Sequence, residues 1–189
     1  MKRLICLAAL WAVMGLPLAA QAQETVSTYE QFSQRYAENL SFINQNVGGY
    51  LLPLTFTQEW DEQGRLVYQA GNEMLSASVR LDGAATNVEQ CQITLTAPLD
   101  MAYGDSQYEL FEEAGYHSYA LLMAMSAQAE PASRYALVES VNDGLALSDT
   151  YTQTLDAYTL TCWRLEQSVT LQLSLGVGQM ENKEGGLQG

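Results

Sequence analysis

The first 22 residues are not expected to belong to the fold, and that constrains everything after them. Lys2 and Arg3 open the chain with positive charge, an apolar run extends from Leu4 to Leu18, and Ala20-Gln21-Ala22 forms a small-x-small cleavage site. This is the pattern of a Sec-type signal peptide, residues 1–22, with cleavage expected between Ala22 and Gln23. The run is about 15 residues long, short of the roughly 20 that a membrane-spanning helix requires. Beyond it the best apolar stretch, Tyr119 to Met125, is shorter still. A soluble periplasmic product is therefore expected, with secretion as the alternative.

Export changes what the cysteines mean. Loss of the leader removes Cys6 and leaves Cys91 and Cys162, which in an oxidising compartment have one internal pairing available. The expectation is a structural disulfide between two strand-like segments. A redox pair would need closer spacing, such as Cys-x-x-Cys, and basic neighbours to lower a thiol pKa.

The full chain carries a formal charge of −14, and the six cations beyond the leader are scattered. Binding to nucleic acid through phosphate neutralisation is excluded on that ground, and an anionic membrane surface is disfavoured. The acidity fits simple solubility. It also fits electrostatic steering toward a basic protein partner, as an inhibitor-like protein would use.

Residues 23–176 read as a single α+β domain, and 177–189 as a flexible tail. Tyr29, Phe32, Tyr36, Leu40, Ile43 and Val47 recur at three- and four-residue steps, which predicts an amphipathic helix over Ser27–Val47. Ser27 and Glu30 have capping-box spacing, and Gly48-Gly49 supplies a stop. Strand-like segments follow at 50–58, 65–70, 74–81 and 88–97. A second, more apolar helix is predicted over 106–126. Strands are then expected at 135–141 and 145–148, joined by a hairpin turn at Asn142-Asp143-Gly144, and at 158–167 and 169–175. The fold class is therefore two helices packed on an antiparallel sheet, stapled by one disulfide. Ser27-Thr-Tyr-Glu-Gln-Phe32 and Ser106-Gln-Tyr-Glu-Leu-Phe111 agree at four of six positions. An internal α-β duplication and a coincidence of capping with core packing both account for that match.

Candidate chemistry is sparse. His117 is the one histidine, and Glu113 lies one helical turn before it. That pair could act in acid-base chemistry, but its place at the edge of the apolar stripe favours a packed boundary histidine. Zinc-ligand spacings, a nucleophile elbow and a phosphate-binding glycine loop do not occur. No cofactor, metal site or catalytic residue is assigned. Eleven tyrosines fall in the chain after the leader, and tyrosine suits recognition surfaces. Tyr103, Tyr116 and Tyr151, with His117 beside them, are the candidate binding residues. The expected function is that of an exported, non-catalytic binding or accessory protein acting on a protein partner. A carrier of a small apolar ligand and a hydrolase using His117 with nearby carboxylates are the alternatives.

Overall fold

A computed structural model describes residues 26–97 and 106–175 of the chain. The leader, Tyr103 and the tail lie outside the described residues. Ten elements follow in order: α1 (Tyr29–Val47), β1 (Thr57–Trp60), β2 (Leu66–Gly71), β3 (Leu75–Leu81), β4 (Val88–Thr96), α2 (Ser106–Ala124), α3 (Pro131–Leu147), β5 (Thr150–Leu155), β6 (Tyr158–Leu165) and β7 (Ser168–Leu175). All neighbouring strands pair antiparallel in one seven-stranded sheet of order β1-β2-β3-β4-β7-β6-β5. The α+β class is thus as expected, with three helices rather than two.

Each element follows from local chemistry. The capping box of α1 sits one residue later than the Ser27/Glu30 spacing suggests. Thr28 Oγ1 accepts from the Gln31 amide at 3.2 Å, and Gln31 Oε1 accepts from the Thr28 amide at 3.0 Å. Ser27 instead is buried, its amide donating to the Tyr158 hydroxyl at 3.1 Å. Gly48, at φ +69°, ends the helix in the left-handed conformation that glycine adopts without penalty. The strands bury alternate residues, as in the buried-exposed pattern of β3, where Leu75, Ala77, Val79 and Leu81 point inward.

The segment read as a hairpin at 135–148 is helix α3. Pro131 stands at its start, where a missing N–H costs nothing. Leu137, Val138, Val141 and Leu145 form a helical stripe buried against the sheet. The apparent turn glycine, Gly144, lies inside the helix, because a Cβ there would run into the Tyr151 ring of β5. Its helix-breaking cost of about 1 kcal/mol relative to alanine is offset by that close approach. The expected strand at 50–58 is likewise reduced to the short β1 at its end.

All three helices lie on one face of the sheet. Helix α2 packs on β3 and β4, α3 on β5 and β6, and α1 chiefly on α2. The last two turns of α2 are the centre of the core: Ala120 through Met125 are each at most 1% exposed. This is the near-total burial that their all-round apolar sequence predicts.

The expected disulfide is corrected by the sheet register. Strand β7 runs between β4 and β6. Cys91 lies opposite Leu173, Leu173 opposite Leu160, and Cys162 is two residues further along β6. Two strand spacings alone separate the cysteine Cα atoms by about 9.6 Å, whereas a disulfide needs roughly 7 Å or less. Both cysteines are buried and unpaired. They also occupy non-equivalent strands, the last of the meander β2-β3-β4 and the middle of β5-β6-β7, so they do not mark matching positions of a repeat.

Candidate functional site

Chain reversal at Gly48-Gly49 sends residues 50–56 back along the second half of α1. Two α1 side chains fix this returning segment by its backbone. Asn44 accepts from the Leu51 amide through Oδ1 at 2.7 Å and donates to the Leu51 carbonyl through Nδ2 at 3.2 Å. Two turns earlier, Tyr36 Oη accepts from the Leu54 amide at 3.2 Å. Between helix and segment lies an open groove of about 400 Å³, lined by residues that include Leu40, Asn44, Leu51, Leu52 and Pro53. Tyr50 and Leu52, on its rim, are 84% and 63% exposed. The alternation over 50–58 predicts a strand, and nothing in that pattern shows the groove. The Gly48-Gly49 reversal followed by Leu52-Pro53 is the signal that marks it.

His117 is linked to the returning segment through Tyr36, without lining the groove. Its ring is 1% exposed, and Nδ1 lies 2.9 Å from Tyr36 Oη. Because Tyr36 already accepts from Leu54, its own proton is free to go to His117 Nδ1, which makes a continuous chain from Leu54 N–H through Tyr36 to the imidazole. Nε2 faces Glu113 Oε1 at 3.7 Å, at the solvent rim of α2. Burial lowers the His117 pKa below its ordinary value, and the nearby Glu113 carboxylate offsets this only in part. Burial also pushes the Tyr36 phenol up to about 12. The pair is therefore neutral at ordinary pH, and its hydrogen bonds tie α1 to α2.

The other expected site residues are dispersed. Tyr116 is half-buried on α2, with its hydroxyl donating to Glu112 Oε1 at 3.3 Å. Tyr151 is not on a loop. It faces inward from β5, packs on Gly144 and donates to Gln153 Oε1 at 2.6 Å. Neither lines the groove. Burial raises the Cys91 and Cys162 thiols to about 12, which keeps them protonated and poorly nucleophilic.

A second polar cluster sits where α1, α2 and α3 meet. Arg35 donates to Ser27 Oγ at 2.9 Å and to the Ala124 carbonyl at 3.4 Å, placing a cation at the C-terminal end of α2. Arg134 of α3 is buried and pairs with Glu38 at 2.9 Å. Asp156, in the β5–β6 turn, accepts from the Ala127 amide at 2.6 Å and so ties down the α2–α3 connection. These contacts satisfy backbone ends and hold the helices in place.

Among the described residues, no three histidine, cysteine or acidic side chains converge as a metal site. No described helix is long and apolar enough to cross a membrane. The fold defines a class: helices packed on one face of an antiparallel sheet, here with an open surface groove of mixed polar and apolar lining beside α1. Comparison with protein-family models, curated proteins and solved structures finds no match.

Proposed function

We propose that this is an exported, non-catalytic binding protein that engages a protein partner in the cell envelope, or outside the cell, through the α1 groove. The observation that carries the reading is the exposure of Tyr50 and Leu52 on a segment whose backbone is already fixed by Asn44 and Tyr36. Exposed side chains on a segment whose neighbouring backbone is already fixed spare the backbone part of the ordering cost on docking, which favours an anchor residue. The acidic chain adds long-range attraction toward a basic partner. A hydrolytic role for His117 gains no support from a ring 1% exposed and engaged by Tyr36.

The test is cross-linked capture from the native cell envelope by wild-type protein, Leu52→Asp and Leu147→Asp. Leu147 is 91% exposed at the end of α3 and serves as the control. A partner held by wild type and Leu147→Asp but lost with Leu52→Asp supports the groove. Equal capture by all three refutes it.

A carrier role is the second reading, favoured by the apolar lining from Leu40, Leu51, Leu52 and Pro53. Native mass spectra would then show a small bound molecule that Leu52→Asp releases.

A further inference from the structure

The returning segment 50–56 is held to α1 at two points that respond differently to acid. At Leu51 both backbone groups are taken by the Asn44 carboxamide, at 2.7 Å and 3.2 Å, and a carboxamide does not titrate in water. At Leu54 the anchor is Tyr36 Oη, 3.2 Å from the amide and 2.9 Å from His117 Nδ1. This second anchor therefore ends on a side chain that can gain a proton. Phe56, in the same segment, meets the Tyr36 ring edge-on at a centroid distance of 6.1 Å. The Tyr36 ring is buried as well, so the phenol is held in place and its hydroxyl proton is the part free to turn.

With His117 neutral, the donor–acceptor count runs in one direction. The imidazole proton sits on Nε2, on the side of Glu113 Oε1. Nδ1 accepts the Tyr36 proton, and Tyr36 Oη accepts from the Leu54 amide. A second proton on the imidazole turns Nδ1 into a donor facing the Tyr36 O–H. Two donors then meet across 2.9 Å, and the hydroxyl proton has to turn away. Among the described residues Tyr36 Oη bonds to these two groups alone. Its turned proton finds an acceptor only in water, and water enters from the half-buried Leu54 side, since His117 is enclosed. We propose that the Leu54–Tyr36–His117 chain is a proton-operated latch. It fastens the returning segment to α1 while His117 is neutral and releases the Leu54 end when His117 is protonated.

The surroundings of the imidazole set the sense of the switch. From α1 it meets the Tyr36 phenol, and from its own helix the Glu113 carboxylate at the rim. Tyr50 is the one ionisable side chain of segment 50–56 and is largely exposed. Strands β3 and β4, beneath α2, turn apolar side chains and the Cys91 thiol inward. Helix α3 carries Arg134, Tyr135, Glu139 and Asp143, but Glu113 is the one charged group that acts on His117 among the described residues. Burial favours the neutral imidazole and Glu113 the charged one, with burial the larger effect. The latch is thus closed at neutral pH and opens in acid. Its bearing on a partner rests on the groove reading, because the released end adjoins the rim residue Leu52. The latch itself needs no partner and is tested without one.

The experiment is NMR hydrogen exchange of the Leu54 and Leu51 amides in the chain beginning at Gln23, from about pH 7.5 to about pH 4.5, a range that brackets histidine titration. Each rate is corrected for its intrinsic pH dependence, and the His117 ring protons report protonation in the same samples. The ratio of Leu54 to Leu51 protection should fall about tenfold, the worth of one hydrogen bond, with the same midpoint as the His117 titration. Glu113→Gln, at a half-exposed rim position, takes the carboxylate from the imidazolium and should move both midpoints together to lower pH. In His117→Phe the ratio should not vary with pH. Three results would overturn the proposal: a constant ratio through the His117 titration, a folded-state His117 that stays neutral over the whole range, or a midpoint unmoved in Glu113→Gln.

Discussion

The Tyr36–His117 hydrogen bond is the best place to test the internal logic of this fold. Tyr36→Phe removes one oxygen and leaves the ring in place. The lost hydroxyl orphans two groups unequally. The Leu54 amide sits at a partly buried site and recovers water, whereas His117 Nδ1 is enclosed between α1 and α2. Leaving such a buried acceptor unsatisfied costs about 1–3 kcal/mol. In a domain of this size each kcal/mol moves Tm by about 2–4 °C, so a loss of ~2 kcal/mol lowers Tm by about 4–8 °C. His117→Phe makes the mirror-image defect by leaving the Tyr36 proton without its acceptor. Glu113 is not harmed by that change, since its side chain is 47% exposed. In the double variant both buried polar ends are gone together, and replacing both partners by apolar groups is nearly neutral. The two single losses should therefore exceed the double by about 1–2 kcal/mol when measured by urea unfolding at pH 7.5. If the losses add to within about 0.5 kcal/mol, the Tyr36–His117 bond is not a coupled element and this account of the α1–α2 junction is wrong.

Three further outcomes follow from the same geometry. His117 is held neutral in the fold but takes up a proton near pH 6.5 when unfolded, so unfolding binds protons as pH falls. Stability should be full above pH 6.5 and decline from there toward the lower folded pKa, at no more than about 1.4 kcal/mol per pH unit. Denaturant midpoints for His117→Phe should be flat over that window. Cys91 and Cys162 should react with a thiol reagent only after unfolding, and reduction should leave the mass unchanged; a gain of two hydrogens would contradict the register argument. Gly144→Ala improves helix propensity yet drives a methyl group into Tyr151, so a net loss of about 1–3 kcal/mol is expected, relieved when Tyr151 is also alanine.

Much of this architecture was legible in the sequence wherever one periodicity dominated. Helix α1, the strands β2 to β4 and the pair β6 and β7 fall close to where alternation and capping put them. Helix α3 was hidden because Asn142-Asp143-Gly144 carries the local chemistry of a hairpin, and the reason for a glycine there is the Tyr151 ring, a neighbour set by tertiary structure. The disulfide expectation failed for a related reason. Strand-like sequence around each cysteine says nothing about which strands become neighbours, and the order places β7 between them. Of the expected site residues, His117 does contact the framework of the groove, through Tyr36. The rim residues Tyr50 and Leu52 are visible only once the chain is known to double back on α1.

The Arg134–Glu38 pair shows how a buried charge can hold position without adding stability. Arg134 is 1% exposed, while the Glu38 side chain is 42% exposed, so only one partner loses most of its hydration. Arg134 Nε also lacks a partner, as does Asn39 Oδ1, next to Glu38 on α1. The Arg134 hydrogen bond holds the Glu38 carboxyl below the usual carboxylate range, but solvent at Glu38 screens that attraction. The two single substitutions should therefore behave asymmetrically. Glu38→Ala strands a desolvated guanidinium and should destabilise. The cost should be about 1–3 kcal/mol, less than the 3–5 typical of fully buried pairs, because water can enter where Glu38 stood. Arg134→Met leaves only a carboxylate that water already reaches, and it fills the space with apolar surface; it should be neutral or stabilising. Urea unfolding of both variants decides the point. Equal losses from the two would mean that the pair itself stabilises the fold. A stable Arg134→Met would leave the arginine with the task of orienting α3 against α1.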